Sequence, residues 1–89
     1  MKEQIHLKQA HGIEDCVRQN LHHYFKDLQG QDPSNMYEML LRAVEKPLLE
    51  VVMEEARQNQ SRAAQWLGVN RNTLRKKLLE HDLIETTHS

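Results

Sequence analysis

Six basic side chains, Arg57, Arg62, Arg71, Arg75, Lys76 and Lys77, fall between positions 57 and 79, and no acidic residue lies among them. A solvated helix face normally interleaves both signs, and this stretch does not. The chemistry on offer is recognition of a polyanion. An arginine guanidinium can bond guanine O6 and N7 together, and lysines pair with phosphate oxygens. The remainder of the chain is acidic. Residues 1–56 hold six bases and ten acids, and Glu80, Asp82 and Glu85 follow the basic block, so a net charge of −1 conceals a local +6. Local clustering, not total charge, makes an electrostatic footprint. Arg57 by itself reads as a solvated surface charge.

Other chemistry finds little footing. No glycine-rich loop suits a phosphate, and no serine or cysteine has a base partner, so the chain does not read as an enzyme. Asp15 beside Cys16 is the ordinary acid of a first helical turn. Cys16 and His23 are seven residues apart and could share a helix face, yet His22 and His23 diverge and no third ligand is in sight; neither a metal site nor a cofactor is expected. Cys16, the only cysteine, cannot form an intrachain disulfide and reads as a small core or interface residue. His6, His11, His81 and His88 read as exposed polar residues.

The basic residues must be positioned by the segment from Gln60 to Leu79. Two helices meeting at a large angle need small residues at their approach, which Ala63 and Ala64 supply. They need a turn residue free to take positive φ, which is Gly68. Leu67, Val69, Leu74 and Leu78 are the apolar anchors. This is helix-turn-helix spacing. Asn70 can cap the second helix, and in a major groove Asn70 and Arg71 at its N-terminus would face base edges. Arg75, Lys76 and Lys77 span too wide an arc for one groove floor, so some of them serve phosphates. Asn59, Ser61 and Arg62 open the first helix, where free backbone amides suit a phosphate. Trp66 has two places open to it: between the module and the body, or exposed beside the turn.

The rest of the chain reads as support. Residues 1–12 are polar and non-periodic, a mobile arm ending at Gly12. Ile13, Val17, Leu21, Phe25 and Leu28 form one face of a first helix, stopped by Gly30 and Pro33. A long second helix, about 34–57, is capped by Ser34. It carries one face of Met36, Leu40, Val44, Leu48, Val51 and Val52, and a second of Tyr37, Leu41, Leu49, Met53 and Ala56. Met36, Met39 and Met53 read as core. Pro47 removes one backbone bond and kinks this helix without ending it. A helix apolar on two sides must be surrounded, and the same region of a second subunit is the natural cover. Residues 13–58 are thus a dimerisation core, 59–80 the helix-turn-helix, and 81–89 a frayed tail. The N-terminus lacks a signal peptide's apolar run and no 18-residue apolar stretch exists, so no membrane contact is expected and the chain reads as cytoplasmic.

From Ile13 to Leu79 the chain resembles the Fis family of bacterial nucleoid-associated regulators, whose module is shared with NtrC-type activators. The likeness lies in Tyr24-Phe25, residues 28–32, Tyr37-Glu38, Val44-Glu45, Pro47-Leu48-Leu49, Asn59-Gln60, Asn70-Arg71 and residues 73–77. There is no room for the ATPase domain of an NtrC-type activator. The resemblance implies an all-α fold, an intertwined homodimer of four helices per subunit, acting on double-stranded DNA in the nucleoid and on transcription. It implies that Asn70, Arg71 and Lys76 approach bases, and that Asn59, Ser61, Arg62, Thr73, Arg75 and Lys77 hold the DNA backbone. Fis-like dimers set their recognition helices closer than one DNA turn, so DNA must bend, at a cost of order 1–6 kcal/mol that depends on sequence. Two departures stand out. Only about twelve residues precede the first helix, where invertase-stimulating members carry a longer β-hairpin arm, which argues against contact with a recombinase. Asn72 replaces the glycine of the best-known members. The rival reading, a helical dimer whose module meets a protein partner, sits poorly with a stretch that is basic throughout.

Overall fold

The computed structural model describes residues 10–85, and among these there are four helices and no strand. The fold is all-α, in the order α1 (Ala10–Leu28), α2 (Met36–Glu55), α3 (Gln60–Leu67) and α4 (Arg71–Glu80). Residues 1–9 and 86–89, most of the expected arm and the end of the expected tail, lie outside the described residues.

Helix α1, with the turn after it, is a unit by itself. It begins at Ala10, three residues earlier than its apolar stripe suggests, so Gly12 is a helical residue and not the end of an arm. Its stripe survives as half-buried Val17, Leu21, Tyr24 and Leu28, with Ile13 and Phe25 exposed. Tyr24 and Phe25 meet edge to face at 5.9 Å between ring centres. Cys16 is exposed in the single chain, so it is not a core residue of its own helix unit; the Asn20 amide donates to its carbonyl at 2.7 Å. Helix α1 stops in the left-handed pair Gln29 and Gly30, φ +52° and +87°.

Helices α2 to α4 form the second unit. Helix α2 starts at Met36, behind a left-handed Asn35, so Ser34 stands one residue too far back to be its cap. It runs unbroken through Pro47. Leu49, Met53 and Ala56 of this segment are buried against Ala63 and Ala64 of α3 and Leu74 and Leu78 of α4. Ala63 and Ala64 are small because α3 must approach its neighbours closely, and larger side chains would separate the helices. Val52, Leu67, Val69, Leu83 and Ile84 close the core's edge.

The link from α2 to α3 is tight. Gln58 N–H returns to the Met53 carbonyl at 2.9 Å, and Asn59 N–H to that of Ala56 at 3.0 Å. This path forces Arg57 and Gln58 into the left-handed region, φ +55° and +64°, where a side chain is strained. Gln58→Gly is therefore expected to stabilise the protein by about 1 kcal/mol, raising the thermal midpoint by roughly 4–8 °C. The β-branched control Gln58→Val should lower it. A Gly variant melting below the wild type would show that this turn carries no strain.

Candidate nucleic-acid interface

The two short helices are set by two asparagine caps and one glycine. Asn59 accepts from the Arg62 amide at 3.0 Å and Asn70 from the Thr73 amide at 2.8 Å, each satisfying one donor of a first turn. Between them Gly68, at φ +79°, donates to the carbonyls of Ala64 and Gln65 and ends α3. A Cβ at Gly68 would meet nothing within 4 Å, so its backbone angle, not close contact, is what asks for glycine. Leu74 and Leu78 fix the rotation of α4 by being fully buried.

That rotation decides what faces outward. Arg71, Asn72, Arg75 and Lys76 are all exposed. At about 100° per residue they share one arc of roughly 140°, with Lys76 opposite the buried pair and Arg71 at the arc's near edge, about 20° from Leu78. Asn59, Ser61, Arg62 and Asn70 are exposed at the N-terminal ends of α3 and α4, and Thr73 is half-buried. The side-chain oxygens of Asn59 and Asn70 are occupied by capping, so their amide N–H groups are what remain for a ligand. Trp66 is 56% exposed on α3 in the single chain.

Lys77 stands apart from the other bases. It lies about 200° around α4 from Arg75, and its ammonium donates to Glu45 Oε2 on α2 at 2.8 Å. The other carboxylate oxygen, Oε1, lies 2.8 Å from Nε2 of His81. An ionised carboxylate only accepts, so the ring carries a hydrogen on Nε2. His81, read from the sequence as exposed, is buried. It ends α4, and Leu83 N–H turns back to the Leu78 carbonyl at 2.8 Å while Asp82 adopts φ +58°. Residues 81–84 are therefore part of the fold and not a frayed tail. The signal was present. His81 continues the spacing of Leu74 and Leu78 on the core-facing side of α4, and lies four residues beyond Lys77.

The hydrogen bonds from Lys77 and then from His81 hold the Glu45 carboxyl below its ordinary value of 4.5. The bond to Glu45 holds Lys77 above its ordinary 10.5. A lowered acid stabilises the fold above pH 4.5 and stops doing so as acid protonates it; a raised base stabilises below 10.5 and fails above it. The tie is therefore intact between these limits. Glu45→Gln should melt below the wild type at pH 7, with the gap closing below about pH 4.5. Parallel curves of melting midpoint against pH would remove Glu45 as their cause.

Among the described residues no three His, Cys, Asp or Glu side chains converge as a metal site, and no helix is long and apolar enough to cross a membrane. Residues 40–86, which include the whole of α3 and α4, match the model of the family described as bacterial regulatory protein, Fis family. A protein of Ralstonia nicotianae described as Fis-like and DNA-binding is 60% identical over 72 residues, covering 81% of this chain and 94% of that one. A similarly described protein of Neisseria meningitidis serogroup A is 58% identical over 72 residues, with 81% and 91% covered. The DNA-binding protein Fis of Proteus mirabilis is 51% identical over 71 residues, covering 80% of this chain and 72% of that one. With an all-α fold, a capped helix-turn-helix and a matched segment of more than half its length, the chain belongs to the Fis family of bacterial regulatory proteins.

Proposed function

We propose that the protein is a homodimeric, DNA-bending regulator that reads the major groove with α4 and acts by binding, without catalysis, in the cytoplasmic nucleoid. The observation that carries this reading is the outward arc of Arg71, Asn72, Arg75 and Lys76 on a helix whose other side is locked into a core. Asn70, Arg71 and Lys76 approach base edges. Asn59, Ser61, Arg62, Thr73 and Arg75 hold phosphates and set the register. Lys77 is left out of this set because it faces α2.

A second subunit is supported by α2. Tyr37, Leu41, Val44, Leu48 and Val51 are all exposed and recur at spacings of four, three, four and three. That is the repeat of a helix seam seeking another helix, and it lies away from the side carrying Leu49 and Met53. Two copies present two α4 helices, so the DNA site is expected to be nearly palindromic.

A gel-shift titration on a short duplex with an A/T-rich centre tests the reading. Binding should weaken steeply between low and moderate salt. Arg71→Ala should cost about 1–3 kcal/mol and relax preference at one base pair, while the helix content stays unchanged because the side chain is exposed. If the wild type gives no shift even at low salt, the DNA reading fails. Should Arg71→Ala bind like the wild type, α4 docks in another register.

A further inference from the structure

We propose that Glu45 is a positioning residue that keeps Lys77 off the DNA backbone and so sets how many phosphates each subunit neutralises. This rests on the reading above, that the exposed face of α4 meets DNA. Without Glu45, a lysine next to Lys76 would have every reason to join a phosphate. The carboxylate prevents it by bridging two elements at once: 2.8 Å to Lys77 Nζ and 2.8 Å to His81 Nε2. The two basic partners differ in what else they can do. The His81 side chain is 1% exposed and has no water to turn to, whereas that of Lys77 is 37% exposed and does. Glu45 is thus held in place by the buried ring, and from that fixed position it retains the mobile ammonium. Glu80, the other acid acting on Lys77, reinforces the retention only through its field.

Glu45→Gln separates these roles. The amide offers one acceptor where the carboxylate offered two. His81, buried, keeps that oxygen, and Lys77 is released. The readout is the slope of log affinity against log salt for the full chain on a mixed-sequence duplex, which counts neutralised phosphates at about 0.9 per contact. Glu45→Gln should steepen the slope by about 0.9 per subunit. Lys77→Met alone should keep the wild-type slope, and Glu45→Gln with Lys77→Met should return to it. A purely structural tie would change affinity or melting without this pattern in slope.

Three results overturn the proposal: a shallower slope for Lys77→Met, which places that lysine on a phosphate already; an unchanged slope for Glu45→Gln; or a double variant that stays steep, which assigns the effect to loss of an acid. The Lys77→Met arm needs no change at Glu45, so it remains decisive if Glu45→Gln folds poorly. If the wild type shows no salt-dependent binding, the DNA reading itself has failed; steep wild-type binding with any of those three results overturns the role of Glu45 alone.

Discussion

Leu48→Glu is expected to convert a dimer into a folded monomer that no longer binds DNA at concentrations where the wild type does. Leu48 is 47% exposed in the single chain and sits in the middle of the α2 seam, between Val44 and Val51. Within one subunit a glutamate there stays in water and suits a helix, so helix content should hardly change. In the proposed dimer the same substitution occurs twice, because a two-fold interface repeats every contact. Each carboxylate then leaves water for an apolar seam, at several kcal/mol per ion. Even about 4 kcal/mol in total weakens dimerisation roughly a thousandfold. DNA affinity falls further, because one α4 no longer raises the effective concentration of the other, an advantage of order a hundredfold or more. Sedimentation velocity and a gel shift on the same samples check both effects. A dimeric Leu48→Glu protein with normal DNA affinity would falsify the α2 seam as the interface.

How much of this could be read from the chain depends on whether the cause was local. The module could be read at once, because Ala63-Ala64, Gly68, Leu74 and Leu78 each answer a demand made within a few residues. Asn70 declared itself as a cap for the same reason, since capping joins it to Thr73 only three positions on. The unbroken α2 could be inferred across Pro47 because the periodicity resumes on the far side. Lys77 could not be placed by composition. A run of three bases looks uniform in the sequence, and it takes the rotation imposed by Leu74 and Leu78, which brings Lys77 within reach of Glu45, to separate it from Arg75 and Lys76. Its partner Glu45 lies 32 residues earlier, on another helix. His81 was misread because the last turn of α4 continues into a buried bend, which a Thr-rich tail conceals. Ser34 was misread because Asn35 takes a left-handed conformation, a choice governed by where α2 must begin.

The same buried pair supplies the second large effect. Leu74→Ala is expected to destabilise the α2–α4 unit by about 2–5 kcal/mol. Leu74 is fully buried, and among the described residues the other buried apolar ones are Leu49, Met53, Ala56, Ala63, Ala64 and Leu78. Three of those seven are alanines, whose single methyl group cannot move to fill a void. The cavity should therefore persist, and the cost should fall toward the upper part of the range. Alanine's better helix propensity returns only a few tenths of a kcal/mol at an α4 interior position. Against a stability of roughly 5–10 kcal/mol for a chain of this size, that is a large fraction of the total. Leu74→Met, which conserves volume, should cost less than about 1.5 kcal/mol. Urea denaturation followed by circular dichroism distinguishes the two, and added duplex should restore part of the lost stability because DNA binds only the folded module. A loss below about 1 kcal/mol for Leu74→Ala would mean that α4 is not anchored through this leucine. The outward arc of Arg71, Arg75 and Lys76 would then need another support, because the exposure of those bases follows from the burial of Leu74 and Leu78.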